Sequence, residues 1–413
     1  MNLDLPLPRI VERIGAAVAD AGGRAFVVGG GVRDHLLGRA VKDWDVEVHG
    51  LSLDRLEDLL RGVGRVNAVG RSFGVFKVST RGGREIDVSI PRRDSKVGPG
   101  HRGISVEGDP DMTPEESVRR RDLTINAMMV DVVDGGLLDP AGGLTDLRAR
   151  QLRAVDDTTF LEDPLRALRV VQFAARFGFS VDPSLEALCA AASVDELPAE
   201  RILGEWVKLA LRGHAPAHGL DLARRTGLLA RLFPERVDTP SLDAALDRLA
   251  TGPGPTLSPE GRRLAAFLTT WLAHTPPADA EATLDRLGLF RWLGYPCRDR
   301  ILAALPELTQ ATPTPAWLRH LSTRAEPELV LTVQHVLRPT DPAPTAALAL
   351  AADLGVLHDK PDPLVQGRDL IALGVRPGPA MGEQLKSLYA RQLDGELHNR
   401  EEALTAARES LSG

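Results

Sequence analysis

Apolar positions between Ile10 and Ala21 recur at helical spacing, and Gly22 and Gly23 then break the pattern ahead of the unbroken apolar run Ala25-Phe26-Val27-Val28. That run predicts a buried strand. Trp44 to Val48 predicts a second short strand, and Leu51 to Leu60 a helix. Val75 to Ser79 and Glu85 to Ile90 flank a turn with Gly82 and Gly83, residue types that tolerate the positive φ of a tight hairpin. The N-terminal part is therefore expected to be α/β around a small sheet. From about Leu144 the strand signals vanish, and helical periodicity governs Pro164 to Phe177, Leu185 to Ala192, Ala199 to Leu211 and Leu242 to Leu249. Pro/Gly-rich breaks at 251–255, 275–277, 312–315 and 338–342 divide this all-α remainder into packets of helices.

Length and composition narrow the picture. A chain of 413 residues suits two to four compact units, and an aromatic content of 4% favours small-residue helix packing over a sandwich or barrel. The net charge of -7 requires any nucleic-acid site to be a local basic patch. Cys189 and Cys297 lie far apart and suggest neither a disulfide framework nor a Cys-rich metal site, which suits a reducing, cytoplasmic setting. The N-terminus lacks the basic start and apolar run of a signal peptide, and no stretch approaches the ~18 apolar residues of a membrane span. A soluble protein that stays inside the cell is expected, with no membrane partner.

Phe26 to Asp34 reads as a strand entering the cluster Gly29-Gly30-Gly31 and then a helix, an arrangement whose free N–H groups, with Arg33, suit phosphate. A tight structural turn is the plainer reading. The stretch lacks the Walker lysine and the GxGxxG spacing, which argues against a P-loop or a Rossmann dinucleotide site. Asp43 and Asp45, two apart on the second predicted strand, should share a face. Paired acids of this kind suit a hard cation such as Mg²⁺, or simply a solvated face. Asp87, with Glu85 on the same side of a later strand, offers a third carboxylate if pairing brings one of them to the first two. Three such acids would make a two-metal phosphoryl-transfer site.

Gly29 to Asp34 followed by Lys42-Asp43-Trp44-Asp45 resembles the opening motif of the class II tRNA nucleotidyltransferase and bacterial poly(A) polymerase family. Arg120-Arg121-Asp122-Leu123-Thr124-Ile125-Asn126-Ala127 resembles the second motif of that family, and Leu138 to Leu147 the third. Glu162-Asp163-Pro164-Leu165-Arg166-Ala167-Leu168-Arg169 is similar to the fourth, and Glu200 to Lys208 to the fifth. The resemblance implies an α+β fold: a nucleotidyltransferase head with a small mixed β-sheet (1–143), then an all-α neck that recognises the base (144–211), body (212–311) and tRNA-binding tail (312–413). It implies Asp43 and Asp45 as ligands of Mg²⁺ and Asp87 at the position of a third acid. Gly30 and Arg33 would hold triphosphate, Arg121 would touch the nucleotide, and Asn126 would lie near ribose and triphosphate. Asp163 and Arg166 would act as a protein template for CTP or ATP, with Arg169 beside the nucleotide. Asp accepts from an exocyclic amine while Arg donates to a ring nitrogen or carbonyl. An i, i+3 surface ion pair is the plainer reading of that spacing. Gln172 departs from the pattern, standing where relatives often carry an arginine.

The expected activity is completion of the 3′-terminal CCA of tRNA, or addition of only its A, without a template. Poly(A) polymerase is the rival within the same chemistry, disfavoured by a C-terminal tail without a Lys/Arg block. A non-catalytic RNA-binding protein is the rival of another class. Arg92 to Arg102 has the composition of a loop, and the resemblance makes it a mobile element linked to the switch from C to A addition. In the tail, Val365 to Gly382 is similar to the family's, with Gly-Pro punctuation before a helix whose N-terminus suits RNA phosphate or plain packing. His358-Asp359 evokes metal phosphohydrolases without the further ligands that chemistry needs.

Overall fold

The run Ala25 to Val28 is apolar throughout because it becomes an inner strand of a sheet covered by helices. The computed structural model describes residues 1–67, 74–79, 83, 85–96, 104–237, 239–253, 256–309 and 313–412, without the side chains of 93–96, 104–107 and 411–412. Arg9–Asp20 (α1) leads into Arg24–Val28 (β1), Gly30–Leu36 (α2), Asp45–His49 (β2), Leu53–Val63 (α3), Arg65–Asn67 (β3), Val75–Ser79 (β4), Glu85–Ser89 (β5), Arg92–Lys96 (β6) and Ile104–Gly108 (β7). Pro114–Ser117 (α4), Met129–Asp131 (β8), Leu137–Leu138 (β9), Gly143–Ala149 (α5), Gln151–Leu152 (β10), Asp157–Phe160 (α6), Leu165–Phe177 (α7), Ser180–Val181 (β11), Pro183–Ala191 (α8) and Ala199–Arg212 (α9) follow.

The main sheet has seven strands in the order β3-β4-β5-β2-β1-β8-β9. It is mixed: β2 and β5 run parallel, while its other neighbours are antiparallel. α1 packs on β1 and α3, burying Ile10, Val11, Ile14 and Val18 with Leu56 and Leu60. Each such aliphatic side chain contributes roughly 1.5–3 kcal/mol when taken from water. The expected head is thus present, with a sheet larger than its apolar runs announced, since β3, β8 and β9 are too short to leave a periodic signal.

Two expectations are corrected. Strand does continue past Leu144, as the parallel pair β10–β11, whose register of Gln151 with Ser180 and Leu152 with Val181 spans too few residues to alternate visibly. Arg92 to Arg102 is not all loop: β6 and β7 form an antiparallel hairpin from Arg92 opposite Gly108 to Lys96 opposite Ile104. Residues 97–103, which carry the Gly/Pro signal and include Gly100, His101 and Arg102, lie outside the described residues, as does Gly82 of the other predicted turn.

The stretch of the third motif braces the second. Asp139 Oδ1 and Oδ2 accept from the Gly143 and Leu144 N–H groups at 2.6 and 2.9 Å, opening α5. Asp146 in turn accepts from the Thr124 hydroxyl at 2.7 Å. Gly143 must be glycine here, because a Cβ would lie 2.1 Å from the Thr124 carbonyl oxygen.

The described chain divides into Met1–Ile202 with Asp221–Leu232, and Leu203–Leu220 with Phe233–Gly413. The second unit is helical. Trp206, Phe233 and Trp271 cluster in it with ring centroids 4.9–5.7 Å apart, and Arg236 lies over Trp271 at 4.5 Å. Val365, Leu370, Leu388 and Ala407 form the C-terminal core of the same unit. Cys189 and Cys297 are free and buried, and burial pushes both thiols up to about 12. No helix among the described residues is long and apolar enough to cross a membrane.

Gly143→Ala is expected to lower stability by about 1–3 kcal/mol through overpacking against the Thr124 backbone, read as a lower denaturant midpoint at unchanged slope. An unchanged midpoint would contradict the close approach of α5 to that carbonyl.

Candidate active site

β1 ends at Val28, level with Asp45 on β2, and Gly29 then turns the chain into α2 at φ 71° and ψ −130°. That conformation suits glycine alone. The turn also sets where β2 begins. Asp43 and Asp45 do not both sit within the strand, as expected; Asp43 precedes it, because β1 has turned away and leaves no strand residue opposite. Both remain exposed, with Trp44 buried between them.

Because β5 lies parallel to β2, Asp87 is level with Asp45, and β4 brings Lys77 level with Asp87. Lys77 Nζ donates to Asp87 at 2.8 Å. Glu85 is level with Ser79, away from the pair, so the sheet selects Asp87 from the two acids considered. Asp45 and Asp87 open on a pocket of about 250 Å³ that Glu47, Arg92, Arg120 and Arg121 also line. Limited hydration, then the like charges of Asp87 and Asp43, raise the Asp45 carboxyl above the usual range, against the pull of Arg121 and Lys77. An all-oxygen donor set whose negative charge is only partly compensated fits a hard divalent cation.

Behind the pocket lies a layer of paired charges. Burial would raise the Asp122 carboxyl, but Arg169, the Asn126 amide and the Leu123 N–H together hold it below the usual range. Arg169 Nε donates to Asp122 at 2.7 Å, and Asn126 Nδ2 does so at 3.0 Å. Arg33, 4% exposed, donates to Asn126 and Asp34 and lies over the rings of Phe173 and Phe177. Arg176 reaches Asp34 at 3.2 Å. Arg166 donates to the backbone carbonyls of Thr159 and Arg120, while Asp163 pairs with Arg201 at 2.9 Å. The stripe 166, 169, 173, 176 of α7 is thereby bound to the head.

Of the residues singled out in the sequence, Asp45, Asp87 and Arg121 share the pocket. Asn126, Arg33 and Arg169 meet in the adjacent layer, Gly30 opens α2 with Arg33 Nη2 3.4 Å from the place of a Cβ, and Asp163 and Arg166 each have other partners at the start of α7. Sequence reasoning gave no role to Glu47, nor to Arg120, Asp122 and Arg201 within the motifs that contain them. Glu47 was findable: Asp43, Asp45, Glu47 and His49 follow one another at period two. Gln172 is buried, and its Nε2 has no hydrogen-bond partner among the described residues. Its neutrality suits a layer in which Asp34 and Asp122 already have arginine partners.

In the helical unit, ligand atoms of Glu326, Glu328 and His358 lie within 4.8 Å of one another. A guanidinium already serves this cluster: Arg262 pairs with Glu326 and, at 3.1 Å, with Glu328, and Tyr295 donates to Glu326 at 2.6 Å. It is an ion-pair network, and the phosphohydrolase reading gains nothing from it.

A carboxyl raised in the folded state binds its proton more tightly there than in the unfolded chain, so its charge destabilises at pH above its pKa and protonation relieves this as pH falls. Asp45→Asn should therefore raise the metal-free melting temperature at neutral pH by roughly 1–3 °C, and the gain should vanish at pH low enough to protonate Asp45. A lower melting temperature at neutral pH would contradict the repulsion.

Comparison with known proteins identifies the family. Residues 25–153 match the poly(A) polymerase head domain, 178–238 a probable RNA- and SrmB-binding site of polymerase A, and 324–407 a putative domain 2 of tRNA nucleotidyltransferase. The chain is 42% identical over 214 residues to a Nitrosococcus oceani protein named multifunctional CCA protein, which covers 51% of this chain and 50% of that one. It thus spans about half the length of that relative. With the CCA-adding enzyme of Bordetella pertussis it shares 38% identity over 309 residues, 72% of this chain and 76% of the other. The Bacillus stearothermophilus CCA-adding enzyme solved with CTP superposes with a TM-score of 0.75 at 26% identity, covering 98% of both chains. With head, RNA-binding and second-domain matches in order and a relative aligned across three quarters of its length, the chain belongs to the tRNA nucleotidyltransferase and poly(A) polymerase family.

Proposed function

We propose that this protein adds nucleotides from CTP and ATP to the 3′ end of tRNA without a nucleic-acid template, completing CCA or supplying only its terminal A. One observation carries the reading: Asp45 and Asp87 are level on adjacent strands of a pocket shared with Arg120 and Arg121, in a chain 38% identical to a CCA-adding enzyme. The tRNA 3′ oxygen bonds to the α-phosphorus, the bond from that phosphorus to the bridging oxygen breaks, pyrophosphate leaves and the hydroxyl proton passes to solvent.

Asp43, Asp45 and Asp87 are the oxygen ligands we assign to Mg²⁺, which when bound lowers the pKa of the attacking hydroxyl and offsets charge on pyrophosphate. Arg121 and Arg120 meet the phosphates beside the turn at Gly30. Arg33 acts by holding Asn126 and that turn, since contact with phosphate would require it to leave Asp34 and the rings beneath it. Arg169 keeps Asp122 and Asn126 in place. Asp163, just before α7, and Arg166, in its first turn, read the base edge, with Arg201 aligning Asp163. We assign 1–143 to the head, 144–211 to the neck, 212–311 to the body and 312–413 to a tail that holds tRNA, in a cytoplasmic protein.

Incorporation of each labelled nucleotide, with Mg²⁺, into tRNA transcripts ending at the discriminator base, at C and at CC tests the reading. Growth to full CCA, or A addition confined to the CC end, is the expected outcome. Long A tails on any RNA would favour poly(A) synthesis, and no incorporation in any lane would overturn the proposal.

Arg166→Ala is expected to reduce discrimination for CTP and ATP over UTP and GTP about tenfold or more, with tRNA affinity little changed. Equal loss for all four nucleotides would count against base reading by this residue.

A further inference from the structure

Glu47 is one pleat beyond Asp45 on β2 and belongs to the same pocket wall, yet its residue is 1% exposed. The flanking strand positions, Val46 and Val48, are filled by apolar side chains. A carboxylate buried at such a place is strongly disfavoured unless cations and donors surround it. Here they do. Arg120 Nη2 donates to Glu47 Oε2 at 2.9 Å, Arg121 Nη2 lies 3.4 Å from the same oxygen, and His49 Nε2 lies 3.3 Å from Oε1. His49 is itself fixed by Met112, whose carbonyl oxygen is 2.8 Å from Nδ1.

This grouping resolves a conflict within the site. Two guanidiniums beside Asp45 and Asp87 are suited to triphosphate, but they are equally suited to the two carboxylates. Paired with Asp45, they would neutralise the oxygens that a divalent cation requires. We propose that Glu47 is a positioning residue that holds Arg120 and Arg121 at the back of the pocket, aimed at the nucleotide phosphates and kept from ion-pairing with Asp45. The inference rests on the metal and nucleotide reading given above. Its physical basis is depth: an ion pair at the fully buried Glu47 is less screened by water than one at the more accessible Asp45, so the arginines stay with Glu47.

Mn²⁺ binding to the full-length protein, followed by the electron paramagnetic resonance of free Mn²⁺, and steady-state KM and kcat for CTP and ATP test the proposal. Wild type should bind Mn²⁺ and Asp45→Asn should not; failure of either overturns the metal reading itself and this proposal with it. Given that pattern, Glu47→Gln should weaken Mn²⁺ and raise KM about tenfold each, as expected for losing a charged hydrogen bond, with kcat much less affected. Adding Arg121→Gln to Glu47→Gln should bring Mn²⁺ affinity back toward wild type while KM stays high, a recovery that damage to folding would not produce. Glu47→Asp, which keeps the charge, should retain most Mn²⁺ affinity and serves if the glutamine variant is unstable. Unchanged Mn²⁺ affinity and KM in Glu47→Gln, or no recovery in the double variant, would overturn the role of Glu47 and leave the metal reading standing.

Discussion

Asp45 and Asp87 are forced level with one another by the parallel pairing of β2 and β5, and much of the head can be understood as the means of tolerating that juxtaposition. A parallel pair needs a crossover, and here the chain between the two strands supplies α3, β3 and β4. The last of these carries Lys77 to the far side of Asp87. On the other side Gly29 ends β1 and turns the backbone away, so the mouth of the pocket is open where the carboxylates converge. The repulsion is only partly relieved, and Asp45 is left with a raised carboxyl. Sites that hold charge out of balance in this manner are suited to a ligand that brings the missing charge.

The helix that follows the head is held by the side chains that make it useful. Arg166, Arg169 and Arg176 recur at the spacing of one helical face, and each meets a fixed acceptor on another segment: the carbonyls of Thr159 and Arg120, Asp122, and Asp34. Phe173 and Phe177 stack together and support Arg33 from beneath. Arg166 donates to the backbone carbonyl of Arg120, whose side chain contacts Glu47. A displacement of α7 would thus be felt at Arg120 without any contact to the nucleotide.

The helical unit is built on other terms. Its central ion pairs join Arg262 to the buried Glu326 and the half-buried Glu328, and Tyr295 donates to Glu326. They resemble a metal cluster in residue type and spacing, but a guanidinium supplies the positive charge there.

Sequence alone determined the elements with a continuous or periodic apolar pattern: α1, β1, β2, α3, β4, β5, α7 and the helices up to residue 249, together with the glycine turn and the acids at 43 and 45. It determined these because periodicity records how one element meets its surroundings, and the spacing of a motif survives any arrangement of its neighbours. Strands of two or three residues such as β3, β9 and β10 leave no such record. Only the tertiary structure decided that Asp87 rather than Glu85 joins Asp45, that Asp163 pairs with Arg201, and that Glu47 gathers two arginines from 73 and 74 residues away. Those outcomes depend on which strand lies beside which and on which charges are buried together, and neither is written in the order of residues along a single strand or helix.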